Sequence, residues 1–439
     1  MSLKTPEKIG NLRKKLYLKA KQEPNFRFYQ LWDKVWRSDI LEHAYRVAKS
    51  NGGKLGVDGV TFEQIESEGW AEWLRSLQQD LRSKSYRPQP VRRVMIPKPG
   101  SGQQPLGIPA IRDRVAQTAV KLVIEPIFEV DLDPEAYGYR PKRSALDTIR
   151  RVHQLLLQGY TDVVDADLSK YFDTIPHAEL LQCVARRISD RQVLTVIKRW
   201  LKTPVEERDE NGKRRMTGGK QSRCGTPQGG VISPLLANLY MNRFLKYWRR
   251  TGKGSEFRAV IVNYADDFVI LSRGCAAEAL QFTAQTMERI GLTLNQEKTK
   301  LVKANQERFD FLGYTFGPHR FKKDGHEYLG ASPSRKSVAR LRRKVREVLR
   351  PSELGRWEEV RGRLNRVLVG WSNYFSHGTR LMAYRAVDNH VCERVRGFLR
   401  RRKKVSSRGT RQFSDQVVFG KLGVVRLRRI HLGPPPATA

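Results

Sequence analysis

The strongest constraint on the fold is the stretch NYADDFVIL at residues 263–271. Apolar, β-favouring runs flank two adjacent aspartates, Asp266 and Asp267, and this pattern predicts two buried strands joined by a tight turn. Neighbouring side chains in an extended strand point to opposite faces, so both aspartates can serve one site only if the backbone bends between the strands. The stretch therefore predicts an antiparallel hairpin with an acidic tip. An ordinary turn is the alternative, because Asp is a common turn residue.

A second pair of acidic residues, Asp165 and Asp167, ends a β-favouring run in DVVDADLSKYFD at residues 162–173. We expect this strand to lie in the same sheet as the hairpin, which would bring three carboxylates together. Convergent carboxylates repel one another unless cations offset their charge. Carboxylate oxygens without His or Cys select hard divalent ions, so we expect two Mg²⁺ ions, with Mn²⁺ as the alternative. Two such ions can activate a 3′-hydroxyl and stabilise a leaving pyrophosphate.

The overall charge points to a polyanionic partner. The chain carries 83 Lys and Arg against 45 Asp and Glu, a formal net charge of +38. A folded chain this basic repels itself unless a polyanion such as nucleic acid offsets the charge. Residues 331–430, named here the basic module, hold 27 Lys and Arg against 7 Asp and Glu. Just over half of the net charge therefore lies in less than a quarter of the chain.

Apolar residues at helical spacing run through the basic module and predict two amphipathic helices. The first stripe is Val338, Leu341, Val345 and Val348, and the second is Val360, Leu364, Leu368 and Trp371. Two helices that bury these stripes against each other would present a basic wall to a duplex.

Elsewhere, helical and β-like segments alternate along the chain. Residues 86–114 predict a hairpin with a basic tip, and residues 161–177 predict a strand that leads into a helix. A further helix is predicted over residues 233–250, with Ser233 as N-cap and Pro234 at the first helical position. No apolar run approaches the roughly 20 residues needed to span a bilayer. We expect a cytoplasmic protein without a membrane partner, since the N-terminus lacks the apolar stretch of a secretory signal.

Six sequence blocks in order resemble those of group II intron reverse transcriptases. The blocks are YGYRPKRSALDT (137–148), DADLSKYFDTIPH (165–177), GTPQGGVISPLLANLYMN (225–242), YADD (264–267), GLTLNQEKTK (291–300) and FLGYTF (311–316). The resemblance implies an α+β right-hand polymerase with fingers, an antiparallel palm sheet and a helical thumb. The domains expected on this basis are an N-terminal extension (1–50), fingers (51–160), palm (161–327), helical thumb or maturase domain (328–400) and a basic C-terminal extension with a disordered tail (401–439).

The resemblance also implies the roles of the acidic residues. Asp266 and Asp167 correspond to the family's metal ligands, with Asp267 beside them. Asp167 is preferred to Asp165 because it precedes Phe172 by five residues, which is the family's spacing from ligand to gate. Asp165 would then be a solvated or salt-bridged carboxylate. Phe172 would act as a steric gate against a ribonucleotide 2′-hydroxyl, and the alternative is an ordinary core aromatic.

Residues that contact the triphosphate and the nascent base pair are implied in the same way. Gln228 resembles the family residue near the nascent base pair, although its loop also suits a turn that caps the next helix. Lys98 resembles a fingers lysine that contacts the triphosphate, and a solvated loop lysine is the alternative. The chain departs from the family at Gln103–Gln104, where a basic residue is usual. Arg112 or Arg114 is the candidate replacement.

In the basic module, RGRLNRVLVGWSNYF (361–375) resembles the thumb, and FLRRRKKVSSRGTRQ (398–412) resembles the start of the family's nucleic-acid-binding extension. The residues expected to contact nucleic acid are Arg342, Arg343, Arg346 and Arg363. The blocks do not extend to a His-Asn-His endonuclease, so we expect priming from nicked or replicating DNA.

The expected activity is RNA-directed DNA synthesis from dNTPs, extending a DNA or RNA primer on an RNA template and also on a DNA template. The resemblance further implies binding of a cognate intron RNA for splicing and retrohoming. One alternative is a free-standing relative that acts in host DNA repair or defence. A second is a non-catalytic RNA-binding maturase, which would have no need for Asp167, Asp266 and Asp267 together.

Overall fold

The computed structural model describes residues 3–97, 103–208, 213–227, 229–321 and 324–430. Four of the predictions above concern positions outside these described residues: Lys98, Gln228, the side chain of Gln104 and the tail at 433–439.

Helices and strands alternate along the chain. The helices are α1 (Glu7–Gln22), α2 (Trp32–Val35), α3 (Ser38–Asn51), α4 (Phe62–Glu68), α5 (Trp70–Arg82), α6 (Ile111–Glu129), α7 (Ala145–Leu157), α8 (Tyr171–Thr174), α9 (His177–Ala185), α10 (Arg191–Leu201), α11 (Ser233–Arg250), α12 (Lys253–Glu256), α13 (Ala276–Arg289), α14 (Arg335–Val348), α15 (Trp357–Tyr374) and α16 (Leu381–Arg402). The strands are β1 (Val91–Pro97), β2 (Gln103–Ile108), β3 (Asp162–Asp167), β4 (Pro204–Arg208), β5 (Arg214–Gly218), β6 (Ala259–Tyr264), β7 (Asp267–Ser272), β8 (Lys300–Lys303), β9 (Phe309–Phe311), β10 (Tyr314–Arg320) and β11 (Glu327–Pro333). None of the helices in the described ranges has both the length and the apolarity to cross a bilayer.

A four-stranded antiparallel sheet with the order β6-β7-β3-β8, named here the acidic sheet, contains the segments that carry the predicted acidic residues. Strands β6 and β7 are buried along most of their length, which explains why these two strands are apolar at most positions. Val164 and Phe268 belong to the large core that also contains the helices α6 and α11. Val163 and Val269 belong to a second core on the opposite face, under β9, β10 and β11. The sheet is thereby fixed from two sides.

A second sheet has the order β2-β1-β4-β5, so it combines strands from the predicted fingers (β1 and β2) with strands from the predicted palm (β4 and β5). The predicted hairpin over residues 86–114 is present as β1 and β2, which pair antiparallel from Arg92↔Ile108 to Pro97↔Gln103. The helix that follows, α6, is buried on nearly every side and forms the centre of the large core.

The basic module folds around its own core. Both predicted stripes are confirmed: Leu341 and Val345 of α14 and the first three stripe residues of α15 are buried in one cluster with α16. Phe413 and Leu427 join the same cluster, so residues on both sides of position 400 share this core. The cationic side chains of α14 remain largely on the surface.

One predicted capping contact is wrong. Helix α11 begins at Ser233 itself, and Ile232 occupies the N-cap position. The Ser233 hydroxyl donates to the carbonyl of Pro227 at 2.8 Å. The hydroxyl therefore bonds to the preceding loop and not to the first turn of the helix. Pro234 lies in the first turn, as the second helical residue and so one position later than predicted.

Candidate active site

The acidic stretch 264–267 forms a two-residue hairpin turn. Strand β6 ends at Tyr264, β7 begins at Asp267, and the two residues pair directly across the turn. Ala265 has a φ of 61°, in the left-handed region that disfavours side chains with a Cβ. A tight two-residue hairpin needs such a conformation at its first turn residue. The turn projects Asp266 and Asp267 from the end of the sheet.

A neighbouring segment holds this turn in place. The backbone N–H of Asn263 donates to the Glu135 carbonyl at 2.9 Å, and the N–H of Tyr137 donates to the Asn263 carbonyl at 2.8 Å. The buried Asn263 side chain donates to the carbonyl of Ala265 at 2.9 Å. A Cβ at Gly138 would lie 2.3 Å from the Ala265 nitrogen, so only glycine allows this approach. These contacts therefore hold the strained turn in place.

The register of the sheet brings the predicted carboxylates together. Asp167, the last residue of β3, pairs with Asp267, the first residue of β7. Directly paired residues on antiparallel strands have their side chains on the same face, about 4.5–5.5 Å apart at Cβ. Asp165 lies on that face two residues earlier, opposite Lys300 of β8. Burial and then the charge of Asp167 raise the pKa of Asp165 to about 6.

The carboxyl of Asp267 is strongly affected by its surroundings. Desolvation by burial, and then the like charges of Asp266, Asp167 and Asp165, raise the pKa of Asp267 to about 7. Its side chain nevertheless remains open to solvent, so cations can reach it. A set of oxygen ligands that repel one another suits hard divalent cations, which would relieve the repulsion.

Lys298 offsets part of this negative charge. Its Nζ lies 3.1 Å from Asp167 Oδ2, and the lysine side chain is 63% exposed. Across the described part of the chain, no three acidic, His or Cys side chains are grouped closely enough to hold an ion as they stand. An exposed ion pair contributes only about 0–1 kcal/mol, so an arriving cation can displace Lys298 at little cost. A divalent cation at these oxygens would therefore compete with Lys298 for Asp167.

A cleft of about 1450 Å³ opens above these residues. It exceeds the roughly 300–1,000 Å³ of an ordinary small-molecule pocket, which leaves room for more than one nucleotide. The residues that line the cleft include Asp167 to Asp173, Gly225 to Pro227, Tyr139, Asp266 and Lys298. The ring of Phe172 faces the cleft and packs edge-on against Tyr171 at 5.6 Å between ring centroids. Phe172 is half-buried, a placement that suits a gate and that also contributes to the core.

The two arginines proposed as phosphate clamps lie elsewhere. Arg114 is buried and donates to the carbonyls of Pro109, Gly52 and Lys54, so it has a structural role. Arg112 forms an ion pair with Asp80. Neither lines the cleft, whereas Gln103 does. The sequence did not reveal these bonds, because they depend on which backbone carbonyls the fold brings near.

Other cations do line the cleft and were missed from the sequence. They are Arg93 on β1, Lys170 after β3, and Lys298. Lys170 has a φ of 47°, a left-handed conformation that is uncommon for lysine. The signal was present for Lys298, because it lies in the recognised block at 291–300.

Tyr139 is a further cleft residue that sequence reasoning missed. It follows Gly138, has a φ of 57° and is 47% exposed. Burial and the charge of Asp266 raise the pKa of its phenol. The ring therefore lies beside the acidic turn on a strained backbone.

The four arginines predicted to contact nucleic acid have different environments. Arg343 and Arg346 are exposed on α14. Arg342 is half-buried and donates to a backbone carbonyl of α16 at 3.2 Å. Arg363 is exposed and forms an ion pair with Glu353 at 2.7 Å. Three of the four are thus exposed, and two of these three, Arg343 and Arg363, form an ion pair with a nearby glutamate, at 3.7 Å for Arg343.

Comparison with known proteins agrees with this arrangement. The sequence profile of the reverse transcriptase (RNA-dependent DNA polymerase) family matches residues 96–316, which include the whole acidic sheet and half of the chain. The profile of the group II intron maturase-specific domain matches residues 338–414. The chain belongs to the group II intron reverse transcriptase family. Membership of this family makes this reverse transcriptase an RNA-directed DNA polymerase with the right-hand polymerase fold.

Individual relatives support the assignment. The protein YkfC of Escherichia coli K12 is 35% identical over 343 residues, covering 70% of this chain and 87% of YkfC. The group II intron-encoded protein LtrA of Lactococcus lactis subsp. cremoris is 34% identical over 225 residues, covering 50% of this chain and 35% of LtrA. A telomerase structure from Candida albicans overlaps with a TM-score of 0.42 at 11% identity, over 82% of this chain and 71% of that one. That structural likeness is too weak to carry an argument.

Proposed function

We propose that this reverse transcriptase extends a primer 3′-hydroxyl on an RNA or DNA template from dNTPs, with two divalent cations held by Asp167, Asp266 and Asp267. The observation that carries the proposal is the register of Asp167 with Asp267 beside the turn at Asp266. Asp167 and Asp266 line the cleft of about 1450 Å³, and Asp267 pairs with Asp167 beside it, which supports the proposal.

The residues of the chain have distinct tasks in this proposal. Mg²⁺, or Mn²⁺ in its place, would supply charge stabilisation for the attacking and leaving oxygens. The three carboxylates hold that charge at the end of the sheet. Lys298 and Lys170 offset phosphate charge at the mouth of the cleft. Phe172 limits the space beside the sugar and thereby favours deoxyribonucleotides over ribonucleotides.

Primer extension on an RNA template tests the proposal. The full chain in Mg²⁺ should extend a DNA primer with dNTPs, and removal of the metal with a chelator should stop extension. Asp266→Ala should be inactive while it still binds the primer–template, because the change leaves the basic surface intact. Extension by Asp266→Ala at the wild-type rate would overturn the metal assignment.

The match to the maturase-specific domain favours a second role, in which the basic module binds a cognate intron RNA for splicing and retrohoming. Its exposed cations suit an RNA backbone, and a folded RNA adds contacts through shape. The test is filter binding to a group II intron RNA and to an unrelated duplex of equal length. Equal affinity for both at physiological salt would favour a free-standing enzyme in DNA repair or defence.

A further inference from the structure

His177 is a buried polar residue that is neither one of the proposed metal ligands nor the gate. It is the first residue of α9 and only 5% exposed. Its Nε2 lies 2.7 Å from the carbonyl of Gly225, and a carbonyl only accepts, so Nε2 carries the proton. Its Nδ1 has no hydrogen-bond partner within the described part of the chain. A buried imidazole nitrogen without a partner lowers the stability of the fold. The hydrogen bond from Nε2 to Gly225 is the favourable contact that offsets this cost.

The bond from His177 belongs to a set of contacts between two walls of the cleft. The first wall is the segment from Phe172 to His177, and the second is the loop from Arg223 to Pro227. The N–H of Thr226 donates to the Phe172 carbonyl at 2.7 Å, and the N–H of His177 donates to the Arg223 carbonyl at 2.8 Å. Backbone pairs of this kind form with any side chains. The His177 ring adds a bond that depends on its own chemistry.

The loop approaches the first wall very closely. Gly225 has a φ of +95°, and a Cβ there would lie 3.2 Å from the carbonyl oxygen of Asp173. The N–H of Gly225 donates to the Ile175 carbonyl at 2.9 Å, while its own carbonyl receives the His177 proton. The N–H and the carbonyl of Gly225 are thus both hydrogen-bonded to the first wall. Thr226 and Pro227, which follow it, line the cleft on the same side as Phe172.

We propose that His177 is a positioning residue that fixes the distance between the Phe172 gate and the loop at 225–227, and so sets the width of the nucleotide-binding part of the cleft. The inference rests on the proposed function, since it takes Phe172 and the loop as walls of the nucleotide site. Burial lowers the pKa of His177, against the opposing effect of the Gly225 carbonyl, so the ring donates as a neutral group.

Loss of this donor has a specific expected effect. With the Gly225 carbonyl released, only backbone hydrogen bonds such as that from Thr226 to the Phe172 carbonyl hold the loop against the first wall. The position of the loop then becomes less fixed, which loosens contact with the incoming sugar. One hydrogen bond to a buried carbonyl corresponds to about a tenfold change in an equilibrium constant. We expect the KM for dNTP to rise about tenfold and the preference for dNTP over rNTP to fall by a similar factor, with little change in kcat.

The test compares two polar replacements in the full chain by single-nucleotide incorporation. In His177→Gln the amide nitrogen reaches as far as Nε2 and can donate to Gly225, whereas the shorter amide of His177→Asn cannot. We expect Asn to raise the KM and lower sugar selectivity, and Gln to restore both towards wild type. His43→Leu, which changes another buried histidine outside the cleft, is the control expected to leave both values unchanged.

The possible outcomes separate this inference from the site assignment. Equal values for the Asn and Gln variants, whether both normal or both impaired, would overturn the positioning role, because a packing role does not distinguish the reach of the donor. Asp266→Ala is measured alongside. If that variant remained active, the site assignment would fail, and the inference would fail with it; if it were inactive while His177→Asn matched wild type, only the inference on His177 would fail.

Discussion

The acidic floor of the cleft and the basic module differ in how much the function of each depends on the position of single residues. The floor consists of Asp167 and Asp266, with Asp267 beside them. At the floor, Asp167 and Asp267 meet through strand register, and a Cβ at Gly138 would clash with the backbone of the turn. In the basic module, many exposed cations share one surface, and 27 Lys and Arg lie within a hundred residues. Catalysis thus requires a few groups held at defined positions, whereas binding of a polyanion requires charge density over an area.

The largest effect should come from a comparison within one strand. Asp167→Ala removes a carboxylate paired with Asp267, while Asp165→Ala removes one that faces Lys300. We expect Asp167→Ala to lower the single-turnover rate of primer extension about a thousandfold, which corresponds to about 4 kcal/mol of lost stabilisation. Asp165→Ala should stay within a few-fold of wild type. Near-normal extension by Asp167→Ala would transfer the ligand role to Asp165.

Replacing one glycine by alanine in each region tests directly how much activity depends on exact backbone position. Gly138→Ala should lower kcat about a hundredfold, because the new Cβ displaces the Ala265 backbone and with it the acidic turn. The matched control is Gly397→Ala in α16, where a Cβ meets nothing within 4 Å. That variant should keep wild-type activity and a slightly higher melting temperature, since Ala favours a helix more than Gly. If both glycine variants behaved alike, the comparison between the regions would not hold.

A change at the gate residue Phe172, which also lies in the cleft, should have a smaller effect than the changes at Asp167 and Gly138. Phe172→Val opens space beside the incoming sugar, so incorporation of rNTP relative to dNTP should rise about 10- to 100-fold. Single-nucleotide kinetics with matched dNTP and rNTP pairs measure this ratio. If Phe172 is only a core aromatic, the variant will lower thermal stability and leave the ratio unchanged.

Single charges in the basic module should have the smallest effects. Reversal of the exposed pair in Arg343→Glu with Arg346→Glu should weaken binding to every primer–template and reduce the slope of log K against log salt by about 2. Arg342 is half-buried against α16, so Arg342→Ala should lower stability more than it changes the slope. Salt titrations for the two variants separate these outcomes. An unchanged slope in the double variant would show that these arginines do not meet phosphates.

Local patterns predicted much of this molecule because they depend on neighbours in the chain. The hairpin at 263–271 and the stripe through Leu341 and Val345 follow from apolar periodicity and are present as predicted. The pairing of Asp167 with Asp267 depends on long-range register. The acidic pattern predicted that the two segments share a sheet, and the family resemblance indicated that Asp167 and not Asp165 is the ligand. The domain boundaries and the roles of the site residues remain predictions.

The errors share one physical cause. Arg114 and Ser233 were assigned roles suited to their side chains, but both bond to backbone carbonyls that the fold brings near. Gly138 and Tyr139 lie in a block that was recognised, yet their contact with the acidic turn exists only in three dimensions. A sequence reveals which polar groups a residue carries and does not reveal which partners will satisfy them.

The most direct test of the division between catalysis and binding measures both properties on the same two variants. Salt-dependent binding of a primer–template and the single-turnover extension rate at saturating primer–template are determined for Asp266→Ala and for the Arg343→Glu, Arg346→Glu pair. The account predicts that Asp266→Ala loses extension with an unchanged salt slope, and that the arginine pair flattens the slope with a near-normal rate. A flattened slope in Asp266→Ala, or a lost rate at saturation in the arginine pair, would contradict it.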